Sequence, residues 1–163
     1  MLFTPINAEI KVGDKAPTFF ANTLDNQYFF LSDTLKLNKP IVLDFFATWC
    51  APCIQEMPLL DSLSLKYPTV NFYFVNVSNL KINGHSKKED PIAVRKLIQR
   101  LNISSQVLMD KFARIVVAYG ATELPKVVII NNKGIIEYLK TGYESGDELI
   151  IENKIIGILS EIK

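Results

Sequence analysis

The chain has 163 residues, of which 48% are hydrophobic and 10% aromatic, enough for a single domain with a full core. Eighteen basic and seventeen acidic residues give a net charge of +1, which argues against nucleic acid or an anionic membrane surface as a partner. The chain has neither an apolar run long enough to span a membrane nor, over residues 1–10, the charged start and apolar centre of a signal peptide. We therefore expect a soluble protein.

The first part of the chain predicts a hairpin that leads into a buried strand and a helix. Residues 16–20 and 27–31 flank the turn-forming sequence Leu24-Asp25-Asn26, which indicates two paired strands. The nearly continuous apolar run over 41–46 is typical of a strand buried on both faces. A helix should follow over 52–67.

The middle of the chain continues this alternation. A second buried strand is predicted over 70–77, and 78–89 is predicted to be a polar loop. Asp90 and Pro91 provide a capping side chain and a first-turn proline for another helix. Alternating strands and helices predict parallel β-α-β pairing.

The last part of the chain predicts a different pairing. Asp110 can cap a short helix over 111–119, and 126–130 and 135–141 are predicted to form an antiparallel strand pair. Residues 146–162 predict a final helix. Its apolar stripe consists of Ile151, Ile155, Ile158, Leu159 and Ile162.

Both cysteines of the chain lie between the first buried strand and the first long helix, in Trp49-Cys50-Ala51-Pro52-Cys53. If Pro52 and Cys53 lie in the first helical turn, the two sulfurs come onto one side and can form a small, reducible disulfide. Cys50 would lie, partly exposed, near unpaired backbone N–H groups and the positive end of the helix dipole, which stabilise a thiolate. We therefore predict Cys50 as the nucleophile and the deeper Cys53 as the resolving thiol.

Other uses of this cysteine pair fit less well. A structural disulfide would close too short a loop to stabilise much. A zinc site needs four ligands, but the chain has no second cysteine pair and only one histidine, His85, in a polar stretch where we expect a solvated side chain. No metal site is predicted. Copper(I) transfer through the two thiolates stays open as a different class of function.

Three separated segments together resemble one family. They are residues 13–19 (GDKAPTF), residues 44–53 with Glu56-Met57-Pro58, and Tyr119-Gly120 followed by Leu124-Pro125. In this order they resemble the TlpA/ResA type of thiol-disulfide oxidoreductase, which has the thioredoxin fold. The resemblance implies one domain over 1–163, with a central mixed sheet, helices on both faces, an N-terminal hairpin extension over 1–38 and a loop-and-helix insert over 78–104.

The resemblance also implies further site residues. Pro125 matches the family's cis-proline opposite the cysteines, where the Leu124 backbone would pair with an extended substrate segment. Asp44 matches the buried acid of thioredoxin, whose raised pKa would fit it to accept the proton of Cys53. Trp49 is expected either to form an apolar contact surface beside the dithiol or to fill the core.

Some residues depart from the family pattern. Neutral Asn79 stands where ResA-type proteins have an acidic residue, so the acid appears at Asp44 instead and a cytochrome-maturation role loses support. Glu123 and Lys126 flank Leu124-Pro125 and could shape substrate choice. For Lys126 we consider two interpretations: an ammonium group close to Cys50, or a solvated side chain that points away from the strand.

The resulting prediction is a reductase of protein disulfides that needs no cofactor. An Ala-Pro insert between the cysteines provides no histidine to stabilise the Cys50 thiolate, which favours a reductant over an oxidant. An oxidase or isomerase, a peroxidase and the copper-binding module are the alternatives. The resemblance implies disulfide-containing protein substrates, a thiol electron donor such as a membrane thiol carrier, a monomer, and an extracytoplasmic location, with the cytoplasm as the alternative.

Overall fold

The computed structural model describes residues 9–79, 81–82 and 85–162. Within these ranges the chain forms nine strands and five helices. The strands are β1 (Phe20–Thr23), β2 (Tyr28–Phe30), β3 (Ile41–Phe46), β4 (Asn71–Val77), β5 (Lys81–Ile82), β6 (His85–Ser86), β7 (Gln106–Asp110), β8 (Lys126–Ile130) and β9 (Ile136–Thr141). The helices are α1 (Leu31–Leu35), α2 (Ala51–Lys66), α3 (Pro91–Arg100), α4 (Arg114–Ala118) and α5 (Asp147–Glu161).

Seven strands form one mixed sheet in the order β2-β1-β7-β4-β3-β8-β9. Strands β3, β4 and β7 are parallel, and antiparallel strands extend the sheet on both sides. The buried residues of α2, α3 and α5 pack on one face of the sheet, and those of α1 and α4 pack on the other. We call these the α2 face and the α4 face. This arrangement confirms the predicted mixed sheet with helices on both faces and an N-terminal hairpin.

Strand β3 has the bounds predicted from its apolar run, and all of its residues are buried. It pairs in parallel with β4 and antiparallel with β8. Because successive side chains of a strand point to opposite faces, Val42, Asp44 and Phe46 lie on the α2 face. The strand therefore carries one acidic side chain into the core beneath α2.

The two helices that follow buried strands begin as their sequences predict. Cys50 is the N-cap of α2, and the helix continues through Pro58 to end at Lys66, one residue before its predicted end. Asp90 is the N-cap of α3, where its carboxylate accepts a hydrogen bond from the N–H of Ile92 at 3.0 Å. Both β-α-β units pair their strands in parallel, as predicted.

The C-terminal helix α5 is close to its prediction. It begins at Asp147 and ends at Glu161, inside the predicted range of 146–162. Ile151, Ile155 and Ile158 are buried against the α2 face, but Ile162 follows the helix and is 40% exposed, so it is not part of the buried stripe.

The N-terminal extension differs from its prediction. The first strand begins at Phe20 rather than at Ala16, so the predicted strand over 16–20 is wrong. The N–H of Ala16 instead donates to the carbonyl oxygen of Gly134 at 2.9 Å, at the other edge of the sheet. Pro17 has no N–H to donate, and its carbonyl oxygen accepts from the Tyr119 hydroxyl at 2.6 Å. These contacts hold the extension across the α4 face before it joins the hairpin.

Strand β7 was not predicted. It lies inside the sheet between β1 and β4, and the helix predicted over 111–119 is reduced to α4. Ala113 rather than Asp110 is the N-cap of α4. The Asp110 carboxylate still accepts hydrogen bonds from first-turn N–H groups of the helix, those of Arg114 at 3.0 Å and Val116 at 2.8 Å. The strand ends at the same residue that starts the next turn.

The segment 78–89 contains structure that was not predicted. Strands β5 and β6 pair antiparallel within it, so it is not wholly a loop. Residues 80, 83 and 84 and the side chain of His85 lie outside the described part of the chain, so the prediction of a solvated His85 is not addressed. Among the described residues, no helix has the length and apolar character that crossing a membrane requires.

Asp61 of α2 holds the segment that precedes β7. Its carboxylate accepts hydrogen bonds from the N–H and hydroxyl of Ser104, both at 3.0 Å, and from the N–H of Ser105 at 2.8 Å. Asp61→Ala leaves these donors without an acceptor, and we expect it to lower the free energy of unfolding by about 2–3 kcal/mol in urea denaturation. The matched control is Asp33→Ala, which removes an exposed ion pair and should cost less than about 1 kcal/mol. Equal losses in the two variants would contradict this role.

Candidate active site

The two cysteines lie at the N-terminus of α2 and form a disulfide, with their Cα atoms 5.3 Å apart. The Sγ atom of Cys50 accepts a hydrogen bond from the N–H of Cys53 at 3.3 Å. In the reduced protein, the same N–H and the positive end of the helix dipole are placed to stabilise a thiolate on Cys50. The geometry therefore matches the environment predicted for a nucleophilic Cys50.

The disulfide is more buried than its sequence suggested. Cys50 is 4% exposed and Cys53 is fully buried, so the expectation of a partly exposed Cys50 is wrong for the disulfide form. Cys50 is buried because it packs into the core cluster on the α2 face. Trp49, next to it, is 38% exposed and presents an apolar surface to solvent. Trp49 therefore does not serve as core filling alone, and its role as a contact surface stays a prediction.

Asp44 is the acidic side chain of β3 and lies on the same face of the sheet as the dithiol. It is 1% exposed, and neither carboxyl oxygen has a hydrogen-bond partner. Burial, and then the nearby charge of Glu56, raise the pKa of Asp44 well above its ordinary value. Asp44 is therefore held in the protonated form under conditions where an exposed aspartate is ionised.

Glu56 is another buried acid of this face, and the sequence does not predict it as a site residue. It follows Cys53 by three residues on α2, so both side chains lie on one side of the helix. It is fully buried, and both of its carboxyl oxygens lack a hydrogen-bond partner. Burial, followed by the charge of Asp147, raises the pKa of Glu56 to about 8. The spacing from Cys53 was the one sequence signal that could have identified it.

Glu89 is a further buried acid that was not predicted from the sequence. Its carboxylate accepts hydrogen bonds from the N–H and the hydroxyl of Thr48, each at 3.1 Å, and from Nδ2 of Asn76 at 3.1 Å. The N–H of Glu89 in turn donates to the hydroxyl of Ser78 at 2.9 Å. Glu89 therefore ties the loop that leads to Cys50 to the end of β4.

The segment before β8 lies next to the C-terminal end of β3, where the loop that leads to Cys50 begins. Lys126 pairs with Phe45, and in this antiparallel register the preceding Pro125 comes beside the end of β3. The peptide bond between Leu124 and Pro125 is cis. Pro125 is buried and Leu124 is half-buried, whereas Glu123 is exposed.

Lys126 fits neither of its two interpretations. It is 5% exposed, so the interpretation as a solvated side chain is wrong. It shares its side of the sheet with Phe45, which belongs to the α4 face, so it does not point toward Cys50. Its Nζ donates to the carbonyl oxygen of Gly120 at 3.1 Å, and burial lowers the pKa of the amine. Lys126 thus holds the start of the 120–125 segment in place.

Known proteins similar in sequence to this chain include thiol-disulfide oxidoreductases. The family model described as Redoxin matches residues 11–155. The chain belongs to the Redoxin family. It is 28% identical to the thiol-disulfide oxidoreductase ResA of Geobacillus thermodenitrificans over 142 residues, which cover 86% of this chain and 75% of that protein. It is 29% identical to the thioredoxin-like protein YneN of Bacillus subtilis over 140 residues, covering 86% of this chain and 77% of the relative.

The fold has a close counterpart among solved structures. A crystal structure of a protein described as a putative thiol:disulfide interchange protein DsbE, from Chlorobium tepidum, superposes with a TM-score of 0.79. The match covers 93% of this chain and 99% of that one at 24% identity. At this identity the likeness shows the shared thioredoxin-like fold and no more.

For this Redoxin-family chain, the departure noted at Asn79 needs a correction. The Asn79 side chain donates to the carbonyl oxygen of Lys111 at 2.9 Å and provides no charge. A carboxylate nevertheless lies beyond the end of β4, because the buried Glu89 bonds to Asn76 there. The acidic role of Asp44 stays a prediction, and Glu89 provides a further carboxylate near the end of β4, where Asn79 provides none.

The buried Glu56 makes stability depend on pH. Its pKa rises from 4.5 to about 8 in the folded protein, so between those pH values the folded state keeps a proton that the unfolded state has released. The free energy of unfolding should therefore fall as pH rises through this window, by an amount on the order of several kcal/mol. We expect Glu56→Gln to flatten that decline in urea denaturation measured at a series of pH values.

Asp44 contributes to the decline in the same direction and remains in this variant, so some dependence on pH should persist. The control is Glu123→Gln, which changes an exposed glutamate and should leave the curve parallel to that of the wild type. A Glu56→Gln curve that also runs parallel to the wild type would show that Glu56 titrates alike in the folded and unfolded states.

Proposed function

We propose that this protein is a thiol-disulfide oxidoreductase that reduces protein disulfides through the Cys50–Cys53 dithiol. The observation that carries the proposal is the position of Cys50, which caps α2 with its sulfur accepting the N–H of Cys53 while unpartnered carboxyl groups lie buried on the same face. The names of the relatives ResA and YneN support the same chemistry.

The two cysteines take different roles in this proposal. The Cys50 thiolate attacks a substrate disulfide and forms a mixed disulfide, because its sulfur faces the helix N-terminus and has the greater exposure. Cys53, which is fully buried, then attacks Cys50 and releases the reduced substrate. Attack by Cys53 requires loss of its proton, and a neighbouring basic group has to accept it.

Asp44 is the proposed acceptor of this proton. It lies on the α2 face beneath the dithiol, and its raised pKa makes its carboxylate a stronger base than that of an exposed aspartate. Glu56 assists when it is ionised, because its charge then raises the pKa of Asp44 further and makes the Asp44 carboxylate a stronger base.

Substrate contact is proposed for the exposed surface around the dithiol. Trp49 offers an apolar ring, and the Leu124 backbone before Pro125 is proposed to pair with an extended segment of the substrate. The buried Lys126 is assigned a different role, which is to position this segment through its hydrogen bond to Gly120.

The proposed partners are disulfide-containing protein substrates and a thiol electron donor that returns the dithiol to its reduced form. By resemblance to ResA-type proteins, we propose an extracytoplasmic location, a membrane thiol carrier as donor and a monomeric protein. No cofactor enters the proposed cycle, because the two thiols supply both electrons.

The reduction potential of the Cys50–Cys53 couple tests the direction of electron flow. We expect a value near that of thioredoxin, about −270 mV, from equilibration with glutathione or dithiothreitol buffers of known potential. A value near that of DsbA, about −120 mV, would instead identify a disulfide oxidase. Tight Cu(I) binding by the reduced protein, with little reduction of a protein disulfide, would favour the copper-binding alternative.

The role of Asp44 is tested by Asp44→Asn. Without a basic side chain beside the dithiol, we expect the resolution of the mixed disulfide to slow by about a hundredfold while its formation keeps its rate. Stopped-flow measurement of both phases gives the two rates in one experiment. Asp61→Asn is the matched control, since it alters another buried aspartate, which lies on α2 about two turns after Cys53. An unchanged resolution rate in Asp44→Asn would remove Asp44 from the mechanism.

A further inference from the structure

An ion pair lies at the margin of the α2 face, on the side away from the hairpin. Nζ of Lys140 in β9 is 3.5 Å from Oδ2 of Asp147 in α5. The Asp147 side chain is 4% exposed and that of Lys140 is 26% exposed, so the pair connects the core to solvent. The reaction proposed above does not by itself require these residues.

The register of the sheet connects this ion pair to Asp44. Asp44 lies directly opposite Val127 of β8, and Val127 lies directly opposite Lys140. Directly opposed residues share a face, so all three side chains lie on the α2 face. Neighbouring strands are about 4.8 Å apart, which separates the Asp44 and Lys140 backbones by about 10 Å.

Glu56 is buried on α2, the helix that packs on this face, and its charge interacts with both ends of the row. Its charge raises the pKa of Asp44, whereas its own pKa is raised by burial and by Asp147, and lowered by Lys140. Neither of its carboxyl oxygens is engaged in a hydrogen bond that would have to break before a proton could bind or leave. The titratable and charged groups that face it are Asp44 from β3, Tyr138 and Lys140 from β9, Tyr143 from the following loop, and Asp147 and Glu148 from α5.

We propose that the Lys140–Asp147 ion pair is the outer end of the path by which the proton of Cys53 reaches solvent, with Glu56 as the group between the pair and Asp44. This inference rests on the proposed dithiol chemistry and deepens it. Lys140 and Asp147 are positioning residues, because they act on the reaction through Glu56.

The step that uses this path is the resolution of the mixed disulfide. Asp44, which its raised pKa keeps protonated, first passes its proton to the ionised Glu56 carboxylate. The S–H bond of Cys53 then breaks and its proton goes to the Asp44 carboxylate, while the Cys53 sulfur forms a bond to the Cys50 sulfur. The bond between Cys50 and the substrate sulfur breaks, and the substrate leaves as a thiolate with the bonding electron pair. Two electrons pass from the dithiol to the substrate disulfide. Glu56 finally releases the proton that it received to solvent at the margin where the Lys140–Asp147 pair lies.

This path predicts opposite effects for the two members of the ion pair. Glu56 has to be ionised to accept a proton from Asp44, so the resolution rate should rise with pH around the pKa of Glu56. Asp147 disfavours ionisation of Glu56 and Lys140 favours it. Removing Asp147 should therefore move the rate profile to lower pH, and removing Lys140 should move it to higher pH.

The experiment measures single turnovers with an aromatic disulfide whose thiolate absorbs visible light. Reduced protein releases one thiolate when the mixed disulfide forms and a second when Cys53 resolves it. We expect the pH midpoint of the second phase to fall by about one pH unit in Asp147→Asn and to rise by about one unit in Lys140→Met. Glu56→Gln should lose this midpoint. Asparagine at 147 retains a carbonyl oxygen for the N–H of Glu144, which Asp147 binds at 2.7 Å.

The matched control is Glu152→Gln, which breaks the ion pair between Lys66 of α2 and Glu152 of α5. This pair also involves α5, but it is not among the charges that shift the pKa of Glu56. In Glu152→Gln the pH midpoint of the second phase should remain that of the wild type. A structural role for Lys140–Asp147 would instead make both of its variants change alike, since either one breaks the same contact.

Midpoints that stay in place, or that move in the same direction in the two variants, would overturn the proton path. A second phase that persists in Cys53→Ser would overturn the proposed dithiol function itself. If Asp147→Asn or Lys140→Met fails to fold, titration of the isotope-labelled Glu56 carboxyl by NMR in the other variant gives the same test. A pKa of Glu56 equal to the wild-type value in that variant would overturn the inference.

Discussion

The junction between β3 and α2 is the constraint on which the rest of the structure depends. Strand β3 is buried on both faces and hydrogen-bonded on both edges, so its register cannot slip without moving apolar side chains out of the core. Only the short 47–50 segment separates its last residue from the helix that Cys50 caps. The position of the sulfurs is therefore set by the sheet, and Glu89 holds the same segment from the end of β4.

Burial of acidic groups at this junction has an energetic cost. Asp44 and Glu56 keep all of their carboxyl oxygens buried without hydrogen-bond partners, and ionising either of them there is unfavourable. An apolar side chain at either position would not carry this cost. Groups with strongly perturbed pKa values concentrate at functional sites, where proton transfer near neutral pH requires them. The proton-transfer role proposed for Asp44 and Glu56 would account for two buried acids that cost the fold some stability.

Prediction from sequence succeeded where a local pattern and the tertiary structure agree. The bounds of β3 and β8 match their predictions, and Asp90 and Pro91 begin α3 as their residue types indicated. Prediction failed for β7 because this five-residue strand is stabilised by pairing with β1 and β4. Its local sequence does not indicate which strands it pairs with. The strand predicted at 16–20 failed for the converse reason, since Ala16 finds its backbone partner in Gly134 at the other edge of the sheet.

The sequence by itself determined the reacting atoms, because the spacing of Cys50 and Cys53, the strand before them and Pro125 are local or family-wide patterns. Only the tertiary structure decided which charges surround those atoms. Charged residues usually lie on the surface of a protein. Three of them are buried here because elements distant in sequence pack over them, namely Glu56, Glu89 and Lys126. A carboxyl group's pKa depends on that packing rather than on its neighbours in the chain, so the electrostatics of the site became evident only in the folded protein.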